Sequence, residues 1–273
     1  MILICVCAAA IGVSACGDDA ERLRILATTE IAADITRAVA GPDVEVDTLL
    51  PSGASPHDYA ASAKDKAAID EADLVVAWSP RLEAGSVGVS DYSRFELAAG
   101  EADPHIWMDP TRIAAQLGEL ADEMAATDPT GAAGYRERAA TYARGLRRLD
   151  RELEQILSVV PDERRKLVTS HDSLGHFARR YGLEFVGAPF GIAPESEPSA
   201  ATVADLIERV ESEKVPAVFA EDTDDPELME EIAREAGVSI VDDLLVEGFG
   251  GRVESYEEML RYDAERIAEA LAG

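Results

Sequence analysis

From residue 23 onward, short apolar runs rich in Val, Ile and Leu alternate with longer stretches in which apolar residues recur every three or four positions. The first pattern is that of buried strands and the second that of amphipathic helices. The runs predict strands at 23–27, 44–50, 74–78, 167–169, 184–186, 217–220 and 239–241. The helical spacing predicts helices at 31–40, 62–71, 110–126, 174–181, 200–211, 226–236 and 255–271. Strand and helix taking turns along a chain is the signature of βαβ units, hence of parallel sheet flanked by helices.

Local punctuation supports these boundaries. Asp109-Pro110 and Asp225-Pro226 each place an acid at an N-cap and proline at the first helical position. Gly182 and Gly237 fall just past helix ends, where a left-handed residue is needed. One segment breaks the alternation. Across 132–158, Tyr135, Tyr142, Leu146, Leu149, Leu153, Ile156 and Leu157 keep helical spacing, with Arg and Glu between them. A helix of that length reaches about 40 Å, long for packing on one small sheet. It predicts a backbone helix at 131–160 joining an N-terminal α/β lobe at 22–130 to a C-terminal α/β lobe at 162–273. A single large α/β domain is the competing arrangement.

Composition narrows the partners. The 273 residues carry 25 Lys+Arg against 54 Asp+Glu, a formal charge of −29. Such a surface argues against nucleic acid or an anionic membrane as partner of the folded body. The acids sit between regular apolar segments, and 47% of the residues are hydrophobic, so this is no disordered acidic chain. Only four of the basic residues are Lys, a choice that fits a salt-adapted surface or a GC-rich codon bias.

Residues 2–15 carry no charge, yet are too few to cross a bilayer as a helix. With the run Val13-Ser14-Ala15-Cys16-Gly17 they resemble a secretory leader ending in a lipobox, with cleavage before Cys16 and the lipid on that cysteine. This predicts a signal peptide at 1–15 and a lipid anchor at Cys16. The three cysteines are Cys5, Cys7 and Cys16. The body therefore offers neither a disulfide framework nor a thiol nucleophile.

No nucleotide-binding glycine motif in a strand-turn-helix setting, no nucleophile elbow, no HExxH and no CxxC occurs. The stretch EGFGGR, containing Gly248, Gly250 and Gly251, reads as a plain loop. The chemistry instead gathers at histidine, of which there are four. His57 (PSGASPHDY), His105 (ADPHIWMDP) and His171 (LVTSHDSL) each stand where a strand gives way to a helix. Loops beyond the carboxyl ends of parallel strands form the binding crevice of such folds. Imidazole suits zinc and similar ions, and a tetrahedral site wants a fourth donor. Glu221 and Asp242 both close strands of the second lobe, and topology alone does not choose between them. His176 falls inside a helix and reads as a packing or surface residue.

These segments, with VTSHDSLGHFARRYGL, PESEPSA, VFAED and SIVDDL, resemble the metal-binding solute-receptor lipoproteins of zinc and manganese ABC transporters. The resemblance covers about 22–271. It implies two parallel-sheet lobes joined by one long helix, and His57, His105 and His171 as metal ligands. The third of these positions is His in zinc-type receptors and often Glu in manganese-type ones. The fourth ligand implied is an Asp usually followed by Pro-Leu, which fits Asp242, although Asp243 stands where Pro is expected. Glu221 matches a family Glu beside the site, a possible support for a ligand. Two departures stand out: His57 and His105 are only 48 residues apart, with the shortening at EAGSVGV, and no His-rich acidic loop is present.

The expected function is capture of a divalent transition metal outside the cytoplasm, zinc first and manganese second, for delivery to an ABC permease by a monomer anchored to the membrane. Three His and one Asp fill a tetrahedral set and leave no position for an activated water, so no catalysis is expected. Manganese- or iron-specific receptors are the alternatives within the family. A zinc hydrolase using the three His, with Glu221 as general base, is the alternative outside it. Asp58, Asp103, Asp172 and Glu221 are candidates for orienting the imidazoles. Trp107 reads as lobe packing beside the site.

Overall fold

The computed structural model describes residues 22–83, 94–192, 197–223 and 225–273. The leader at 1–15, Cys16, most of EAGSVGV and part of PESEPSA lie outside them.

The first lobe is a four-stranded parallel sheet in the order β2-β1-β3-β4: β1 (Arg24–Ala27), β2 (Glu45–Thr48), β3 (Leu74–Ala77) and β4 (Arg94–Glu96). Helices α1 (Glu30–Ala40) and α2 (Ala63–Glu71) connect its strands. Both start on side-chain caps. Thr29 accepts from the Ala32 amide, and Ser62 forms a reciprocal capping box with Asp65. β4 is absent from the alternation read in the sequence. Its three residues, Arg-Phe-Glu, sit half-buried on the sheet edge and carry no apolar run.

A helical hairpin follows, α3 (Pro110–Thr127) and α4 (Ala132–Leu157). Asp109 caps α3 through the Thr111 amide, with Pro110 behind it as expected. In α4, Tyr135, Ala139, Leu146, Leu149, Leu153 and Leu157 form the buried stripe, and the charged residues face outward except buried Asp150 and half-buried Arg138. α4 is tied to both lobes. Arg138 donates to the carbonyls of Val39 and Ala40 at the end of α1. Buried Asp150 accepts from Arg180 and the Tyr181 hydroxyl in the second lobe.

The second lobe holds β5 (Lys166–Val168), α5 (Gly175–Tyr181), β6 (Glu184–Gly187), α6 (Ala200–Ser212), β7 (Ala217–Glu221), α7 (Glu227–Ala236), β8 (Ser239–Leu244) and α8 (Tyr256–Ala272). β5 pairs with β6 and β7 with β8, all parallel, and one bridge between Thr169 and Phe219 joins the pairs. Gly182 and Gly237 adopt left-handed φ of 67° and 69° and close α5 and α7, as their places in the sequence predict. Asp225 bonds the Glu227 amide, so α7 begins one residue later than expected.

The architecture is therefore two α/β lobes of parallel sheet joined by the long α4. One apolar core runs without a break from Leu23 and Ile25 in the first lobe, through Leu146 and Leu149 of α4, to Phe219 and Leu271 in the second.

Candidate metal centre

Four segments deliver polar side chains to the junction of the lobes, each from beyond the carboxyl end of a strand. β2 runs out through Leu50 into PSGASPHDY, where Gly53 takes φ 76° and the Ala54 amide bonds the Pro51 carbonyl. This loop carries His57. After β4 the chain passes Asp103 to His105 and a short turn, Ile106–Met108, that buries Trp107 against Trp78. After β5, Thr169 donates its hydroxyl to the His171 carbonyl and fixes the turn that presents His171. After β8 an irregular segment carries Glu247.

The side chains of all four are buried to at least 95%. His105 Nε2 stands 3.3 Å from His57 Nε2 and 3.4 Å from His171 Nε2. Glu247 Oε1 lies 3.3 Å from His57 Nε2 and 3.8 Å from His171 Nε2. One donor atom from each residue falls within 4.8 Å of all the others.

Two of the imidazoles are oriented from behind. Asp103 Oδ1 lies 2.9 Å from His105 Nδ1 and also accepts from the His105 amide at 3.1 Å. Glu221 Oε1 lies 3.0 Å from His171 Nδ1 and accepts the Ser173 hydroxyl at 2.7 Å. At His105 the carboxylate at Nδ1 holds the proton there and turns the Nε2 lone pair toward the centre, and Glu221 stands beside the corresponding nitrogen of His171. The result is a dry convergence of electron-rich atoms, favourable only with a cation between them. Burial and the facing imidazoles of His105 and His171 push His57 down to about 3, and burial also lowers His105. Both rings are thus held neutral, the form that ligates.

The remaining expected residues are placed as follows. Asp242 does not join the group. It lies exposed on β8, which runs on to Leu244 rather than ending at Val241. Asp243 turns away to the Tyr262 hydroxyl and Arg266. The loop beyond the strand therefore begins at Leu245, and its first acid is Glu247, inside the stretch read as a plain loop. Asp58 is exposed, and Asp172 is half-buried. His176 is buried, as a packing residue would be, and its ring bonds the Asp103 carbonyl. Trp107 does pack the lobes together, donating Nε1–H to the Val246 carbonyl at 2.7 Å, beside Glu247.

Comparison with known proteins places this arrangement. The model of the ZnuA family, the periplasmic component A of a zinc-uptake complex, matches residues 25–270. The chain belongs to the ZnuA family. Among its relatives, the manganese ABC transporter lipoprotein PsaA of Streptococcus pneumoniae is 27% identical over 92% of this chain and 89% of its own. The metal ABC transporter lipoprotein FimA of Streptococcus parasanguinis is 26% identical over 92% and 90%. The periplasmic zinc-binding protein TroA of Treponema pallidum superimposes with a TM-score of 0.84 at 25% identity, over 92% of this chain and all of that one. Membership makes the chain a metal-binding solute receptor of an ABC transporter, not an enzyme. It also places the chain outside the cytoplasm among membrane-anchored lipoproteins.

Proposed function

We propose that this ZnuA-family receptor carries zinc, held by Nε2 of His57, His105 and His171 and by Glu247. The supporting observation is the spacing of the donors. A tetrahedral ion with bonds of about 2.0–2.1 Å keeps its ligands about 3.3–3.4 Å apart. Three of the separations here are 3.3, 3.4 and 3.3 Å. Three borderline nitrogens and one carboxylate suit zinc better than the harder manganese ion. The residues that resemblance alone would assign are thus kept at the three His, and the fourth moves from Asp242 to Glu247. An ABC permease takes the ion from this site, and the lipid anchor is at Cys16.

The test is metal content by elemental mass spectrometry on protein purified without a His tag, then stripping and competitive titration with Zn²⁺ and Mn²⁺. One zinc per chain, displacing manganese in competition, is the expected result. Stoichiometric manganese or iron that zinc does not displace would reassign the cargo within the family. Loss of the lipid mass on Cys16→Ala checks the anchor.

A further inference from the structure

We propose that His176 is a positioning residue for the ion, acting through Asp103 on His105; this rests on the metal-receptor reading above. The donor inventory fixes the chain of bonds. Arg179 only donates, and its NH2 lies 3.1 Å from His176 Nδ1, so that nitrogen must be the acceptor. The His176 proton therefore sits on Nε2, which faces the Asp103 carbonyl at 3.1 Å and Asp103 Oδ2 at 3.3 Å. Oδ1 of the same carboxylate takes the His105 Nδ1 proton at 2.9 Å. That leaves the His105 Nε2 lone pair directed at the centre. Arg179 also reaches Asp103 Oδ2 at 3.5 Å.

The relay runs from a surface arginine, 63% exposed, to a histidine that is 0% exposed. It also crosses the lobes. Asp103 and His105 belong to the first lobe, whereas His176 and Arg179 lie on α5, directly after the turn that presents His171. The bond from His176 to Asp103 thus sets two ligand-bearing segments relative to each other. A buried histidine needs its ring nitrogens matched whatever its role; what is particular to His176 is that its partners are the Asp103 that backs His105 and a surface arginine.

The test uses the full chain with Zn²⁺ as probe and three variants: His176→Phe, His176→Gln and Arg179→Met. Affinity comes from chelator competition, dissociation rate from stopped flow. The His105 tautomer in the metal-free protein comes from nitrogen-15 NMR. Supports of this kind shift metal affinity by about tenfold or more. His176→Phe is expected to weaken zinc about tenfold, and His176→Gln, which keeps an N–H toward Asp103, to recover most of that. Arg179→Met, a surface change that spares the fold, is expected to weaken zinc by about threefold. The His105 proton should sit on Nδ1 in the native chain and divide between both nitrogens in His176→Phe. Native affinity and an unchanged tautomer in His176→Phe would overturn the relay. So would equal losses in His176→Phe and His176→Gln with matching drops in metal-free melting temperature. If the native chain binds no zinc, the zinc reading fails on its own, and the tautomer measurement still decides the relay.

Discussion

His105 and His171 are each backed by a carboxylate at Nδ1, whereas His57 meets none there among the described residues. The first two stand on turns closed by Asp103, Thr169 and Ser173. His57 stands on a loop whose nearest internal ties are the bonds at Pro51–Ala54 and Ser55–His57. The contrast lies within one cluster. On the proposed ligand set, two imidazoles are held from behind and the third, His57, is the least tied, a difference that substitutions of the ligands test. α4 and the unbroken core pack the two lobes together.

The largest effects test the asymmetry itself. His105→Ala and His171→Ala should weaken zinc on the order of a thousandfold and His57→Ala on the order of a hundredfold, read by chelator competition. A greater loss at His57 would reverse the roles. Next comes the carboxylate. Glu247→Gln should cost on the order of a hundredfold, whereas Asp242→Asn should stay within about twofold of the native chain. The opposite ranking would restore Asp242 as the fourth donor. Smaller still, Asp103→Asn and Glu221→Gln should each weaken zinc by about 10- to 100-fold, with Ser55→Ala close to native. Equal sensitivity at Ser55 would mean that His57 is supported after all.

A separate effect, on stability rather than affinity, concerns the metal-free protein and pH. His57 is held near 3 in the fold, below its ordinary 6.5, by burial and the two facing imidazoles. The unfolded chain takes up the proton first on acidification, so this contribution to stability is intact above pH 6.5 and is lost as pH falls toward 3. Denaturant melts of the stripped protein across that window should show a loss on the order of 2–4 kcal/mol from this residue. His57→Gln should flatten that part of the profile, and an unaltered slope would count against the buried neutral ring.

Much of this was legible from residue pattern alone. Strand and helix alternation, the cap at Asp109, the left-handed glycines and the long stripe of α4 are local or periodic signals, whereas the cap expected at Asp225 falls on Pro226. β4 was not legible, because three half-buried edge residues produce neither alternation nor an apolar run. The convergence of the three histidines was readable because each follows a strand in a chain with few histidines. The acid that joins the cluster was not readable, because the strand end was misplaced. β8 keeps pairing with β7 past a register shift between Phe219 and Glu221, which carries the strand to Leu244 and leaves Asp242 on its side. Once the strand ends at its observed place, the rule that located the histidines points to Glu247. His176 was unreadable for a different reason: its partner Asp103 is 73 residues away, and helical position says nothing about a bond across lobes.

The segment bearing Glu247 is fastened almost entirely through its own main chain. Asp263 takes the Leu245 amide, Trp107 bonds the Val246 carbonyl, Glu30 takes the Phe249 amide and Asp34 the Tyr256 amide. None of these ties reads the side chain at position 247. The backbone of this segment is thus held by bonds that a substitution at position 247 leaves in place, while the Glu247 side chain has its own contact with the Thr223 hydroxyl.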